Sequence, residues 1–204
     1  MRFALLSTIL ASSVLATACS DPDDGGNEEE VITTVILSFA PMGGGTPVTA
    51  LANDPDGDGG QAPTIDPVGL AAGTTYTLTI GFENRLETPA EIITDEVRDE
   101  GDQHQVFLTG TAVNGPASDR PTAPLTHTYG DTDAGGLPIG LTNTIVAAAG
   151  GPGDLTITLR HMPPVNDVAA KTAAAAMTVR TGSIDALPGA TDVSVTFPVT
   201  IAVP

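Results

Sequence analysis

A period of two governs this chain. From Val193 to Val203 every odd position is Val, Ile or Phe, while the even positions are Ser, Thr, Pro and Ala. That spacing puts one apolar face on a β-strand and no coherent face on a helix. Leu155, Ile157, Leu159 and His161 alternate in the same way with Thr156, Thr158 and Arg160, as do Tyr76, Leu78, Ile80 and Phe82 with threonines and Gly81. His104, Val106 and Leu108 share one face, with Gln105, Phe107 and Thr109 on the other; Leu125, His127 and Tyr129 repeat the pattern. Val31–Phe39, Val48–Ala52 and Leu141–Ala147 add apolar, β-rich runs between Gly, Pro and Asp turns. Seven to nine short strands separated by such turns predict a mainly β protein, an antiparallel β-sandwich of immunoglobulin-like kind. Pro198 cannot donate to a ladder, so the last strand is expected at an edge or a bulge.

One stretch departs from the period. Within Phe82–Leu108, Thr88, Pro89 and Glu91 spell a capping box with proline at the first helical position, Ile92, Ile93 and Val97 form a narrow apolar stripe, and Gly101 can end the turn. A short inserted helix is predicted there. Its other face carries Glu87, Glu91, Asp95 and Asp99 at every fourth position, with Glu96 and Glu100 beside them and Arg98 as the local offset. Like charges at that spacing cost about 0.2 to 0.5 kcal/mol per pair, and acids at the helix C-terminus oppose the dipole. Two explanations fit: a cation-binding surface, or adaptation to high salt. The whole chain is as acidic, with 25 Asp and Glu against 7 Lys and Arg and a single lysine, Lys171. Such a field excludes nucleic acid as a partner and favours cations. The alanine-rich run from Val168 to Val179, inside a longer segment 165–189, reads as a short helix or an insertion.

The N-terminus has the form of an export signal. Arg2 supplies the charge, Phe3–Ala16 the apolar stretch and Ala16-Thr17-Ala18 a small-residue cleavage site, so residues 1–18 are expected to be removed. Cys19, the only cysteine, follows at once, and LATAC resembles the bacterial lipoprotein box, which implies lipidation of Cys19; an ordinary secretory peptide is the alternative. Acyl chains there would anchor the protein to a membrane, and leave no thiol for disulfides or for a cysteine nucleophile. Residues 19–30, SDPDDGGNEEE behind the cysteine, form an acidic tether, and 31–204 a single domain. Ser20 and the acids that follow point to the outer membrane, on its periplasmic or its surface face.

Candidate sites are sparse. Asp54, Asp56 and Asp58 stand at alternate positions before Gly59, as in calcium loops, yet position 12 is Ile65 and a solvated hairpin loop explains the same residues. His104, His127 and His161 could converge at one end of the fold and, with Glu91, Asp95 or Asp99, bind zinc, copper, haem iron or another divalent ion such as calcium. Singly, each also reads as a core histidine. Nucleophile-elbow, phosphate-loop and metalloprotease motifs do not occur, which argues against an enzyme.

The blocks EEEVITTV, NDPDGDGGQAP, TTYTLTIGFEN, LETPAEIITDEV with DQHQVF behind it, YGDTDAGGLPIGL, LTITLRHMP and TDVSVTFPVTI resemble a family of small bacterial lipoproteins labelled "type 1 periplasmic-binding-fold superfamily protein". The label implies an α/β ligand-binding fold; the alternating strands predict otherwise. The resemblance also implies an outer-membrane setting and a TonB-dependent uptake receptor as partner. The expected function is therefore non-enzymatic: a lipid-anchored domain that captures a ligand, a metal ion or metal complex, for that receptor. A structural or adhesive cell-envelope module is the alternative.

Overall fold

The structure, a computed structural model, describes residues 31–203 apart from 58 and 149. The signal segment, Cys19, the tether and Asp58 lie outside the described residues. In chain order the strands are β1 (Thr34–Pro41), β2 (Val48–Asn53), β3 (Thr64–Ile65), β4 (Val68–Ala71) and β5 (Thr74–Glu83). Helix α1 (Ile93–Asp99) follows, then β6 (His104–Thr109), β7 (Val113–Asn114), β8 (Leu125–Tyr129), β9 (Thr142–Ala147) and β10 (Gly151–His161). Helix α2 (Ala175–Thr181), a single 3₁₀ turn (Ile184–Ala186) and β11 (Ala190–Ala202) complete the chain.

The protein is mainly β, as the period of two predicts. Two sheets form, one of seven strands in the order β3-β2-β1-β5-β9-β8-β7 and one of four in the order β4-β11-β10-β6. One core cluster draws on both: Leu37, Phe39, Leu78, Phe82 and Ile145 from the larger sheet, and Val106, Leu108, Leu155, Ile157, Leu159 and Phe197 from the smaller. With few aromatics, the core is closed by many aliphatic side chains, each contributing about 1.5 to 3 kcal/mol of burial. Pairing is not wholly antiparallel. β4 runs parallel to β11 and β7 parallel to β8, a correction to the expected antiparallel arrangement. Two strands beyond the expected nine are the two-residue β3 and β7.

Pro198 finds its place for the expected reason. β4 pairs only with Val199 to Ala202, so on that side β11 is a free edge up to and including Pro198. The helix prediction needs a correction at its start. Thr88, Pro89 and Glu91 do not cap α1, because Glu91 exchanges backbone hydrogen bonds with Asn84 and extends the strand side instead (both 3.0 Å). α1 begins at Ile93, buries Ile93 and Val97, and is tied to β5 through Thr94, whose hydroxyl accepts from Phe82 N–H (2.7 Å) and donates to Phe82 C=O (3.1 Å).

A second helix lies in the segment expected to be inserted. α2 covers the outer face of the smaller sheet, where Phe107, Ala117, Met162, Ala175, Val179 and Leu187 form a satellite core. Phe107 is thus buried on the face opposite Val106 and Leu108. Among the described residues no helix is long and apolar enough to cross a membrane.

Candidate metal centre

The site is built at the end of the smaller sheet where β6 begins and β10 ends. His104 and His161 are register partners on these strands, and both lie on the inner, core-facing side. Their rings stack with centroids 4.3 Å apart and planes 12° from parallel. Glu100 closes α1 directly before β6, and one ligand atom from each of Glu100, His104 and His161 lies within 4.8 Å of the others. His104 is fully buried, His161 nearly so, and Glu100 half-buried at the mouth.

The backbone engages one nitrogen of His104. Its Nδ1 lies 3.2 Å from Glu100 C=O, an acceptor only, so Nδ1 carries a hydrogen and Nε2 is the nitrogen turned toward the carboxylate of Asp192. The Nδ1 contact is the second one a metal-binding histidine characteristically makes. Nε2 faces Asp192 Oδ2 at 4.0 Å, and both side chains are wholly shielded from solvent.

Asp192 gets there through a bulge. The ladder pairs Leu159 with Val193 but Arg160 with Thr191, so Asp192 is the extra residue with nothing opposite it. Such a bulge breaks the strand's alternation and re-aims a side chain. On the odd-in pattern of β11, Asp192 would face outward; the bulge turns it inward. The neighbouring segment is held tightly. Gly189 has φ +80°, and a Cβ there would come within 1.8 Å of His161 C=O. Arg160 secures the same loop by donating to the carbonyls of Leu187, Pro188 and Gly189 and to the Thr191 hydroxyl.

Of the residues expected at a metal site, the structure brings His104 and His161 together and leaves the rest elsewhere. His127 sits in the larger sheet, donating from Nε2 to Asn143 Oδ1 at 2.8 Å with Tyr129 edge-on to its ring. Burial pushes its pKa from the ordinary 6.5 down to about 4, against the upward pull of the Asn143 hydrogen bond, so it is a neutral core histidine. Glu91 is taken up by its bridge to Asn84, Asp95 pairs with Arg98 on the surface, and Asp99 is exposed. The carboxylates near the imidazoles are instead Glu100 and Asp192. Asp54 and Asp56 turn their oxygens onto the backbone N–H groups of Asp56 and Gln61, at 3.3 and 3.2 Å, which is what a loop held by its own aspartates requires. Asp58 is outside the described residues.

Compared with protein-family models, curated proteins and solved structures, the chain finds no match. Its chemistry is therefore read from the site alone. Two imidazoles and the Glu100 carboxylate, with Asp192 near His104, are nitrogen and oxygen donors without thiolate, suited to zinc and its first-row neighbours more than to calcium. The gap between His104 Nε2 and Asp192 Oδ2 exceeds hydrogen-bond length, and is somewhat wider than the about 3.3 Å edge between two ligands of one tetrahedral zinc.

Proposed function

We propose that this protein is a non-enzymatic, lipid-anchored domain that captures a divalent transition-metal ion. The observation that carries it is the cluster around His104: its Nε2 lies 4.0 Å from the Asp192 carboxylate in a fully shielded site, with His161 and Glu100 beside His104. Glu100 is the half-buried member and marks the way in. Exposed Asp95 and Asp99 on α1 would raise the local cation concentration without serving as ligands.

The cellular setting rests on the sequence. The Cys19 lipoprotein box supports anchoring, and the resemblance to the small lipoprotein family supports an outer-membrane location and delivery to a TonB-dependent receptor. An immunoglobulin-like sandwich is the fold reading we favour, since the inner faces share one core and most pairings are antiparallel. The parallel stack of the two rings favours a second reading, a ligand-free structural or adhesive module in which the histidines only fill the core.

Metal content after purification without chelator, and thermal melts at low ionic strength with zinc, copper, calcium or sodium chloride, distinguish the two. Capture predicts stabilisation by micromolar transition metal in the wild type that His104→Leu loses. If no divalent ion exceeds sodium chloride at matched ionic strength, the histidines are core residues and the module reading stands.

A further inference from the structure

A separate groove lies between α2 and the outer face of the smaller sheet, away from the histidines. Its volume is about 560 Å³, and its walls are mixed: Phe107 and Val179 form an apolar floor, Thr156 and Thr158 line it from the sheet, and Asp119, Arg120 and Arg180 stand on the rim. A space of that size takes a ligand of one or two sugar rings.

The charge there runs against the rest of the molecule. The chain carries a formal charge of −18, and most of its described basic side chains are engaged elsewhere. Arg85 pairs with Glu83, Arg98 with Asp95 and Lys171 with Asp133, while Arg160 is filled by backbone carbonyls and Thr191. Arg180 divides its guanidinium between Gly115 C=O and Asp119. Arg120 is different: its backbone N–H is engaged by Asn114 and its C=O by Ala123, but among the described residues no acid or carbonyl meets its guanidinium. The rim therefore offers one uncompensated guanidinium, which matches one carboxylate in fork geometry. It falls short of what a phosphate dianion requires.

The sheet side of the groove presents hydroxyls. Thr156 and Thr158 hydroxyls bond to those of Thr196 and Ser194, at 2.8 and 3.0 Å. A hydroxyl has one donor and two acceptor positions, so each pair keeps capacity for a further partner. Ligand hydroxyls are the natural complement of such a wall.

We propose that this groove binds an acidic sugar, its carboxylate on Arg120 and its hydroxyls along the threonine face. The site is independent of the metal centre, so neither proposal depends on the other.

Titration calorimetry with galacturonate, galactose and inorganic phosphate at matched ionic strength tests it, on wild type and Arg120→Gln. Arg120 is exposed, so its variant is expected to fold. Saturable galacturonate binding in the millimolar range or tighter, about tenfold weaker in Arg120→Gln, is the expected result. Absence of saturation with galacturonate overturns the proposal, as does galactose or phosphate binding as tightly, or Arg120→Gln binding like wild type.

Discussion

His104 and His161 face each other across the β6–β10 ladder with their rings 12° from parallel. Nitrogen lone pairs lie in the ring planes, so two stacked imidazoles cannot both aim at one ion; a shared metal requires one ring to turn. Binding should therefore unstack the pair. His161→Leu removes the ring but keeps an apolar side chain of similar size, and the apo protein should change by only about 1 to 2 kcal/mol. The same variant should lose the metal-dependent stabilisation, which for a wild type at a hundredfold excess over its Kd is about 2.7 kcal/mol. Urea unfolding with and without zinc measures both. Equal zinc stabilisation of variant and wild type would remove His161 from the ligand set.

Lys171 reaches across the fold to fasten the inserted segment. Its buried Nζ donates to Gly101 C=O at 2.5 Å and to Asp133 at 2.9 Å. Burial lowers the lysine pKa against the pull of Asp133, while on Asp133 the lysine and the Leu137 N–H outweigh burial and hold the carboxyl below its usual range. Lys171→Met leaves that carboxylate shielded without its cation, and should cost about 3 to 5 kcal/mol. Lys171→Met with Asp133→Asn should recover part of the loss, because an amide oxygen can still accept from Leu137 and no charge is stranded. A single variant as stable as wild type in urea would show that water replaces the pair.

What the sequence made legible follows from which signals are local. The strands were visible because Thr74–Glu83 and the later part of Ala190–Ala202 bury alternate residues, and alternation survives without knowledge of partners, whereas Ile157–His161 are buried on both faces. The candidate metal centre was half visible. His104 and His161 share the core-facing parity of their strands, but so does His127, and parity cannot say which sheet a strand joins. Asp192 was hidden because a bulge reverses the parity of the residue it carries, and bulges leave no periodic trace. Glu91 was misassigned because a good capping sequence lost to a strand bridge with Asn84, a tertiary choice that outweighs about 1 kcal/mol of cap. Lys171 was legible only as a lone lysine, since its partners lie 38 and 70 positions away.

The anchor is tested apart from the domain. If Cys19 is lipidated, Cys19→Ala should yield an unprocessed or soluble product, whereas the wild type should stay with membranes through a salt wash and leave them in detergent. A variant that still sediments with salt-washed membranes would assign membrane association to something other than an acyl chain.

His127 should make the protein acid-sensitive in a defined window. Its folded pKa is about 4 against an ordinary 6.5, so above 6.5 both folded and unfolded chains hold the ring neutral and its contribution is complete. Between those two values the unfolded chain takes up a proton that the folded chain refuses, and stability falls with pH by up to about 1.4 kcal/mol per pH unit. Below the folded value both states are protonated and the loss levels off, near about 3 kcal/mol for this one group. The sign follows from the cause: the ring is buried against Tyr129 with its Nε2–H on Asn143, where a charge would be desolvated. His127→Gln keeps a donor for Asn143 and does not titrate. Urea unfolding of both proteins across the window should give a wild-type curve steeper than the variant's by roughly those 3 kcal/mol. Other titrating groups contribute equally to the two curves, so the difference isolates the imidazole. Parallel curves would mean that His127 is protonated inside the fold, and its reading as a neutral core histidine would then fail.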